Sequence, residues 1–150
     1  KSIEKSKYEI LKECIKPAGF FNQKAAYLKN ISGFMKRYEF NYSNIEAIGT
    51  ETLRNELLKV KGIGRETADS ILLYAFDRPV FVVDAYTKRV FSGHIADFPD
   101  KYEDIRALFE SNLEGDTALF NEYHALIVRI GKEYCRKRPL CGQCPLRTGK

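Results

Sequence analysis

The sequence predicts an all-α protein. Apolar residues recur at helical spacing through most of the chain, and Pro, Gly, Asn and Asp cut that pattern into segments of helix length. The one β-like run, Pro79–Val83, is short and has no second run to pair with, so it reads as a buried extended connector. With 150 residues, 44% of them hydrophobic, the chain can bury one core or two small helical lobes.

Taken in order, Ile3, Tyr8, Ile10, Leu11 and Ile15 follow the period of a first helix, with Ser2 as N-cap and Pro17-Ala-Gly19 as its end. Asn22 is placed to cap a second helix that buries Ala25, Ala26, Leu28, Ile31, Phe34 and Met35, with lysines and arginines on the opposite face. A turn from Asn41 to Asn44 leads to a brief helix around Ile45–Ile48, and Thr50 then caps a helix carrying Leu53, Leu57 and Leu58. Glu66–Phe76 is the next helix, stopped by Asp77-Arg-Pro79. Asp84 opens a helix to about Phe91, Tyr102–Leu113 makes another, and Thr117–Tyr134 a long one. Cys135–Lys150 has Pro, Gly and Cys but no period, which suits a loop folded around an ion or cluster.

The net charge of +5 and pI near 9.0 suit a nucleic-acid surface without demanding one. No apolar run approaches the roughly 18 residues that cross a bilayer, and the charged opening KSIEKSKYEI is not a signal peptide. No membrane partner is therefore expected. Cys14 stands alone in an amphipathic segment and reads as a buried, inert thiol. Cys135, Cys141 and Cys144 crowd together, which in a reducing compartment points to metal or cluster ligation over disulfides.

The sharpest local feature runs Leu57-Leu-Lys-Val-Lys61-Gly62-Ile63-Gly64-Arg65-Glu66-Thr67-Ala68. One helix enters Gly-Ile-Gly and another leaves at once. Two glycines allow positive φ and close backbone approach, so the amides at the new helix start form an anion site. Ile63 can plug the turn into the core, Ala68 permits close helix crossing, and Lys59, Lys61 and Arg65 add charge for a polyanion. The frame resembles the helix-hairpin-helix motif of DNA-repair proteins, with Lys61 where Pro is usual. The resemblance implies DNA contacts by Lys61, Gly62, Ile63, Gly64, Arg65 and Thr67. It also implies a monovalent cation held by hairpin carbonyls, with Val60 and Ile63 as donors.

Val82-Val83-Asp84-Ala-Tyr-Thr-Lys88-Arg89 follows, with Asp84 standing 18 residues beyond Glu66. Alone, Asp84 reads as an N-cap. In that setting it resembles the catalytic carboxylate of the helix-hairpin-helix–Gly/Pro–Asp DNA glycosylases of the endonuclease III type. Such a carboxylate stabilises the positive charge that develops on the sugar as the N-glycosidic bond breaks, and it can orient the attacking water. Bifunctional members carry a lysine two residues after the last hairpin Gly, and its amine forms a Schiff base. Glu66 occupies that place here, as a surface helix residue or a base-site residue, so the resemblance implies a monofunctional enzyme using water. The segments Lys61-Gly-Ile-Gly, Thr67-Ala-Asp-Ser-Ile-Leu and Ala18-Gly-Phe-Phe-Asn-Gln-Lys-Ala25 are similar to the 3-methyladenine, or alkylpurine, branch.

The spacing Cys135-(5)-Cys141-(2)-Cys144 resembles the loop that binds a 4Fe-4S cluster in endonuclease III and adenine-mismatch glycosylases. Zinc is the chemical competitor. The resemblance implies a fourth cysteine about six residues after Cys144 and a preceding pocket helix, both expected outside this segment. The expected organisation is a helical glycosylase core over 1–134, with its helix-hairpin-helix at about 52–76 and a partial cluster loop over 135–150. Its fold would be a six-helix barrel-type lobe plus part of a second helical lobe. The expected partner is double-stranded DNA bearing a damaged base, bound by a monomer in the cytoplasm at the nucleoid. A mismatch, uracil or bifunctional glycosylase, and a non-catalytic DNA-binding module, are the alternatives. Tyr86, Lys88 and Arg89 are further candidates for DNA contact, although a solvated helix face explains the two charges equally well.

Overall fold

The structure is a computed structural model that describes residues 1–147. Among them it is helical with no strand, in two compact units spanning 1–68 and 69–150. In the first unit α1 (Ser2–Lys5) and α2 (Tyr8–Ile15) both pack on α3 (Phe21–Arg37). A single 3-10 turn, Lys16–Ala18, joins α2 to α3, and α4 (Tyr42–Glu46) and α5 (Thr50–Leu58) follow. The buried apolar residues of this unit are Leu11, Ala25, Phe34, Ile45, Leu53, Leu57 and Ala68.

Several boundaries differ from the sequence reading: Lys1 stands at the N-cap of α1 with Ser2 inside the helix, and α4 covers Tyr42–Glu46 where a turn to Asn44 and a helix from Ile45 were expected. The expected first helix breaks at Ser6-Lys7, where the chain is extended. The Ser6 hydroxyl donates to the Ile3 carbonyl, and Lys29 Nζ bonds the carbonyls of Glu4 (2.8 Å) and Ser6 (2.5 Å). Carbonyls captured this way satisfy the backbone without continuing the helix. Helix α3 is entered through Phe20, in the left-handed region at φ 48°, with Asn22 inside the helix and no side-chain cap. Gly49, not Thr50, caps α5, whereas Asn41 does cap α4 by accepting the Ser43 amide. Cys14 is exposed, against expectation: α2 buries only Leu11, and the core does not extend one turn further along that face to cover the thiol.

Helix α6 (Arg65–Phe76) runs into the second unit, which contains α7 (Ala85–Ser92), α8 (Tyr102–Asn112) and α9 (Thr117–Glu133). Its core gathers Leu73, Phe81–Val83, Val90, Ile105, Phe109, Phe120 and Ile127. As expected, residues 80–83 are a buried extended connector. Phe81 stacks on Phe109 with centroids 4.1 Å apart and meets Phe120 edge-on at 5.4 Å. Burial of that one ring stabilises the unit by about 2–3 kcal/mol.

A buried extended segment must find partners for its amides, and α8 supplies them from side chains. The Phe81 amide donates to Glu110 Oε1 at 2.9 Å, and the Val83 amide donates to the Tyr102 hydroxyl at 3.4 Å. Tyr102 in turn donates to the fully buried Asp69 carboxylate at 2.8 Å. The connector thus delivers Asp84 to the start of α7 from a fixed direction.

Helices α7 and α9 cross closely at Gly131. A Cβ there would lie 2.3 Å from Tyr86 Cδ1 and 2.9 Å from Tyr86 Cβ. Arg89 Nη2 donates to the Gly131 carbonyl at 2.7 Å and stacks over the Tyr86 ring.

Candidate active site and nucleic-acid interface

The hairpin lies between α5 and α6. The Val60 carbonyl accepts the Ile63 amide at 2.9 Å, and Ala68 donates to the Gly64 carbonyl at 2.8 Å, which starts α6. Asn30 Nδ2 holds the Lys61 carbonyl at 2.8 Å, tying the turn to α3. Only one of its two glycines has positive φ: Gly62 at 101°. The two glycines therefore do different work. A Cβ on Gly62 would strike the Tyr27 ring at 2.2 Å, so this glycine is required by packing and by backbone alike. A Cβ on Gly64 would meet nothing within 4 Å, so the fold places no demand on that glycine.

Lys61, Gly62, Gly64, Arg65, Glu66 and Thr67 are exposed around the turn, Ile63 is half-buried, and Ala68 is buried. Lys29, Arg37, Lys59 and Lys61 line a groove of about 380 Å³ beside it. At the other end of α3, Phe20 is 82% exposed, an aromatic ring presented to solvent by a left-handed backbone.

In the second unit Asp84 is both a cap and a site. Its Oδ1 accepts the Thr87 amide at 2.7 Å and the Thr87 hydroxyl at 2.9 Å, and the Asp84 amide donates back to Thr87 Oγ1 at 3.4 Å, which completes a capping box on α7. Its Oδ2 lies 3.5 Å from Nε2 of His124 on α9, and both side chains are largely buried. On the other edge of that imidazole, Nδ1 is hydrogen-bonded to the Tyr74 hydroxyl from α6.

Burial pushes the Asp84 carboxyl up, but the nearby His124 imidazole and the bonds from the Thr87 amide and hydroxyl outweigh it and hold the group below its ordinary value of 3.8. Tyr74 is raised above its ordinary value by burial and then by the Asp84 charge. The result is an ionised carboxylate, rigidly held and shielded from bulk water, which can stabilise a developing cation.

His124 was not among the sequence-derived candidates. A signal was present: it interrupts the buried stripe Phe120, Ile127, Gly131 of α9, and polar residues on such a stripe call for partners. Lys88 and Arg89, candidates for DNA contact, are engaged internally with the carbonyls of Asp100 (2.8 Å) and Gly131.

Cys135, Cys141 and Cys144 line one cavity of about 130 Å³, together with His94, Tyr134, Leu146 and Arg147. The Cys135 thiol donates to the Arg89 carbonyl at 3.8 Å. Among the described residues no three His, Cys, Asp or Glu side chains converge as one bound ion requires. Also among them, no helix is long and apolar enough to cross a membrane.

Residues 1–114 match the HhH-GPD superfamily of base excision DNA repair proteins, and the chain belongs to that superfamily. A relative from Methanocaldococcus jannaschii, described as a DNA repair glycosylase, is 51% identical over 91% of the chain and 64% of its own length. An endonuclease III of Sulfolobus acidocaldarius is 33% identical over 90% of the chain and 59% of its own length. The chain thus spans about three fifths of these relatives. The solved 3-methyladenine DNA glycosylase of H. pylori, bound to 1,N6-ethenoadenine, superposes with a TM-score of 0.71 at 30% identity, covering 87% of this chain and 66% of that one. An endonuclease III–DNA complex superposes at 0.72 with 22% identity, which bears on the fold, covering 95% of this chain and 64% of that one.

Proposed function

We propose that the protein is a monofunctional DNA glycosylase that hydrolyses the N-glycosidic bond of a damaged base, an alkylated purine, in double-stranded DNA. The observation that carries this reading is Asp84: a largely buried carboxylate, held ionised by His124 and Thr87 at the start of a helix. Placed beneath the sugar, it stabilises the oxocarbenium-like state, and its Oδ2 orients the attacking water. Glu66 at the position after the hairpin cannot form an imine, which supports hydrolysis without strand cleavage. The similarity to an alkylpurine glycosylase supports the substrate class.

DNA is gripped through phosphates at Gly62–Thr67, with Lys61 and Arg65 adding charge, and a monovalent cation on the Val60 and Ile63 carbonyls bridges to the backbone. The Val60 carbonyl keeps a second lone pair for it while accepting the Ile63 amide. The protein works as a monomer at the nucleoid.

Cys135, Cys141 and Cys144 would be the residues that hold a 4Fe-4S cluster, with a rigidifying and not a chemical part in base release. Thiolates on a single zinc ion stand only about 3.8 Å apart, given Zn–S bonds near 2.3 Å. Three cysteines that share a cavity without converging suit a larger guest. His94 lines the same cavity and could complete the donor set. A bound cluster supplies a rigid anchor for the basic loop Arg136–Arg138.

The test is base release by the full-length protein from duplexes bearing alkylated, oxidised, deaminated or mismatched bases. Release of alkylated purines, lost in Asp84→Asn with DNA binding retained, is the expected result; retained release in that variant refutes it. The relatives named endonuclease III favour a second, bifunctional reading. Borohydride trapping separates the two, because a covalent DNA adduct appears only with an amine nucleophile.

A further inference from the structure

We infer that His124 is a positioning residue for base release, locking the Asp84 carboxylate in one rotation while Tyr74 holds the imidazole. The inference rests on the reading of Asp84 as the carboxylate that faces the sugar. Its two oxygens are not equivalent. Oδ1 accepts both Thr87 donors and is committed to capping α7. Oδ2 remains for the reacting sugar or water, and His124 Nε2 stands 3.5 Å from it. That nitrogen is buried and has no hydrogen-bond partner among the described residues, and Oδ2 is the carboxylate oxygen that stands beside it.

The tautomer follows from the partners. A carboxylate only accepts, so a productive contact needs the proton on Nε2. In a neutral ring Nδ1 is then an acceptor and takes the Tyr74 hydroxyl proton; in a charged ring Nδ1–H donates to the Tyr74 oxygen. Either way an N–H faces Oδ2. One lone pair of Oδ2 is thereby directed to His124, and the other is presented to the substrate. Without the imidazole, the Thr87 bonds alone would leave Oδ2 to reorient or to attract a proton in a poorly solvated setting.

The ionisable groups facing His124 are Asp84 at the start of α7 and Tyr74 from α6. Lys88 and Arg89 on α7 are bound instead to the Asp100 and Gly131 carbonyls. The Tyr74–His124–Asp84 series therefore works as a unit spanning three helices, in the way an orienting partner fixes a catalytic group elsewhere.

The experiment measures kcat, KM and the pH profile of kcat/KM for the full-length protein on a duplex bearing an alkylated purine. It compares wild type with His124→Phe, His124→Gln, Tyr74→Phe and Asp84→Asn. His124→Phe keeps the ring but not the donor. Its kcat is expected to fall about tenfold or more with KM unchanged. Its acidic limb moves to higher pH, because burial of Asp84 is then opposed by fewer hydrogen bonds. His124→Gln restores an N–H near the Nε2 position and regains most of the rate, and Tyr74→Phe shows a smaller loss with the same sign of pH shift.

A wild-type limb and kcat in His124→Phe, or a loss confined to KM, would overturn the inference. Should His124→Phe fail to fold, Tyr74→Phe decides, since it leaves the imidazole in place: an unmoved limb there has the same force. Base release retained in Asp84→Asn means that the underlying reading of Asp84 has failed instead. An inactive Asp84→Asn beside an unaltered His124→Phe removes only the role of His124.

Discussion

Replacing Gly62 with alanine puts a methyl group where the Tyr27 ring already stands. The added Cβ would lie 2.2–2.7 Å from three atoms of that ring, and the residue would keep a φ of 101°. Two costs add. Overpacking against a half-buried ring costs about 1–3 kcal/mol, and holding a non-glycine residue in a sparsely populated backbone region about 1–3 kcal/mol more. The ring can swing partly aside, so about 2–4 kcal/mol in total is expected. For a chain of this size that lowers the melting temperature by roughly 5–15 °C.

Gly64→Ala is the matched control, because its methyl enters open space at ordinary φ. Its stability should stay within about 1 kcal/mol of wild type. Its DNA affinity should fall, because the methyl stands where a phosphate approaches the α6 amides. Thermal melting and fluorescence anisotropy with a labelled duplex over a salt series read the two effects separately. Because Gly64→Ala removes no charge, its slope of log K against log salt should stay near that of wild type, whereas Lys61→Ala should make the slope shallower by about 0.9. Equal destabilisation by both substitutions, or an unchanged DNA affinity for Gly64→Ala, would refute the division of labour.

At the α7–α9 crossing, Gly131→Ala is expected to cost about 2–3 kcal/mol by urea unfolding, since Tyr86 Cβ, close to the backbone, must shift. Tyr102→Phe removes the donor to buried Asp69 and the acceptor for the Val83 amide; a loss of about 1.5–3 kcal/mol is expected in the same measurement. Asp84, held below 3.8 in the folded chain, contributes stability that is present above that ordinary value and lost as pH falls through the folded value. The melting temperature of Asp84→Asn should therefore lie below wild type at neutral pH, with the gap closing in acid.

The long helices were readable because their apolar stripes are several turns deep, and the Gly-Ile-Gly turn and the Asp84 cap because each uses a residue type with a strong local preference. The connector 79–83 was readable from its unpaired apolar run. What escaped was decided by partners distant in sequence. Lys29 reaches 23 and 25 residues back to the Ser6 and Glu4 carbonyls and breaks what local periodicity joins. The αL entry at Phe20 has no propensity behind it, since phenylalanine disfavours that conformation. Gly64 resembles Gly62 in sequence, and only the position of Tyr27 tells them apart. His124 meets Asp84 across 40 residues, and no local rule links them.

The glycine at the α7–α9 crossing has a consequence for how this protein can change. Asp84 caps α7, while His124 lies two turns before Gly131 on α9, so the spacing between carboxylate and imidazole is gauged by the clearance between the two helices. A single hydrogen atom at position 131 sets that clearance. Larger side chains there widen the gauge at its far end, trading catalytic alignment for helix propensity. Replacing Gly131 to rigidify α9 is therefore closed to this protein, and gains in thermal tolerance must come from elsewhere on the helix.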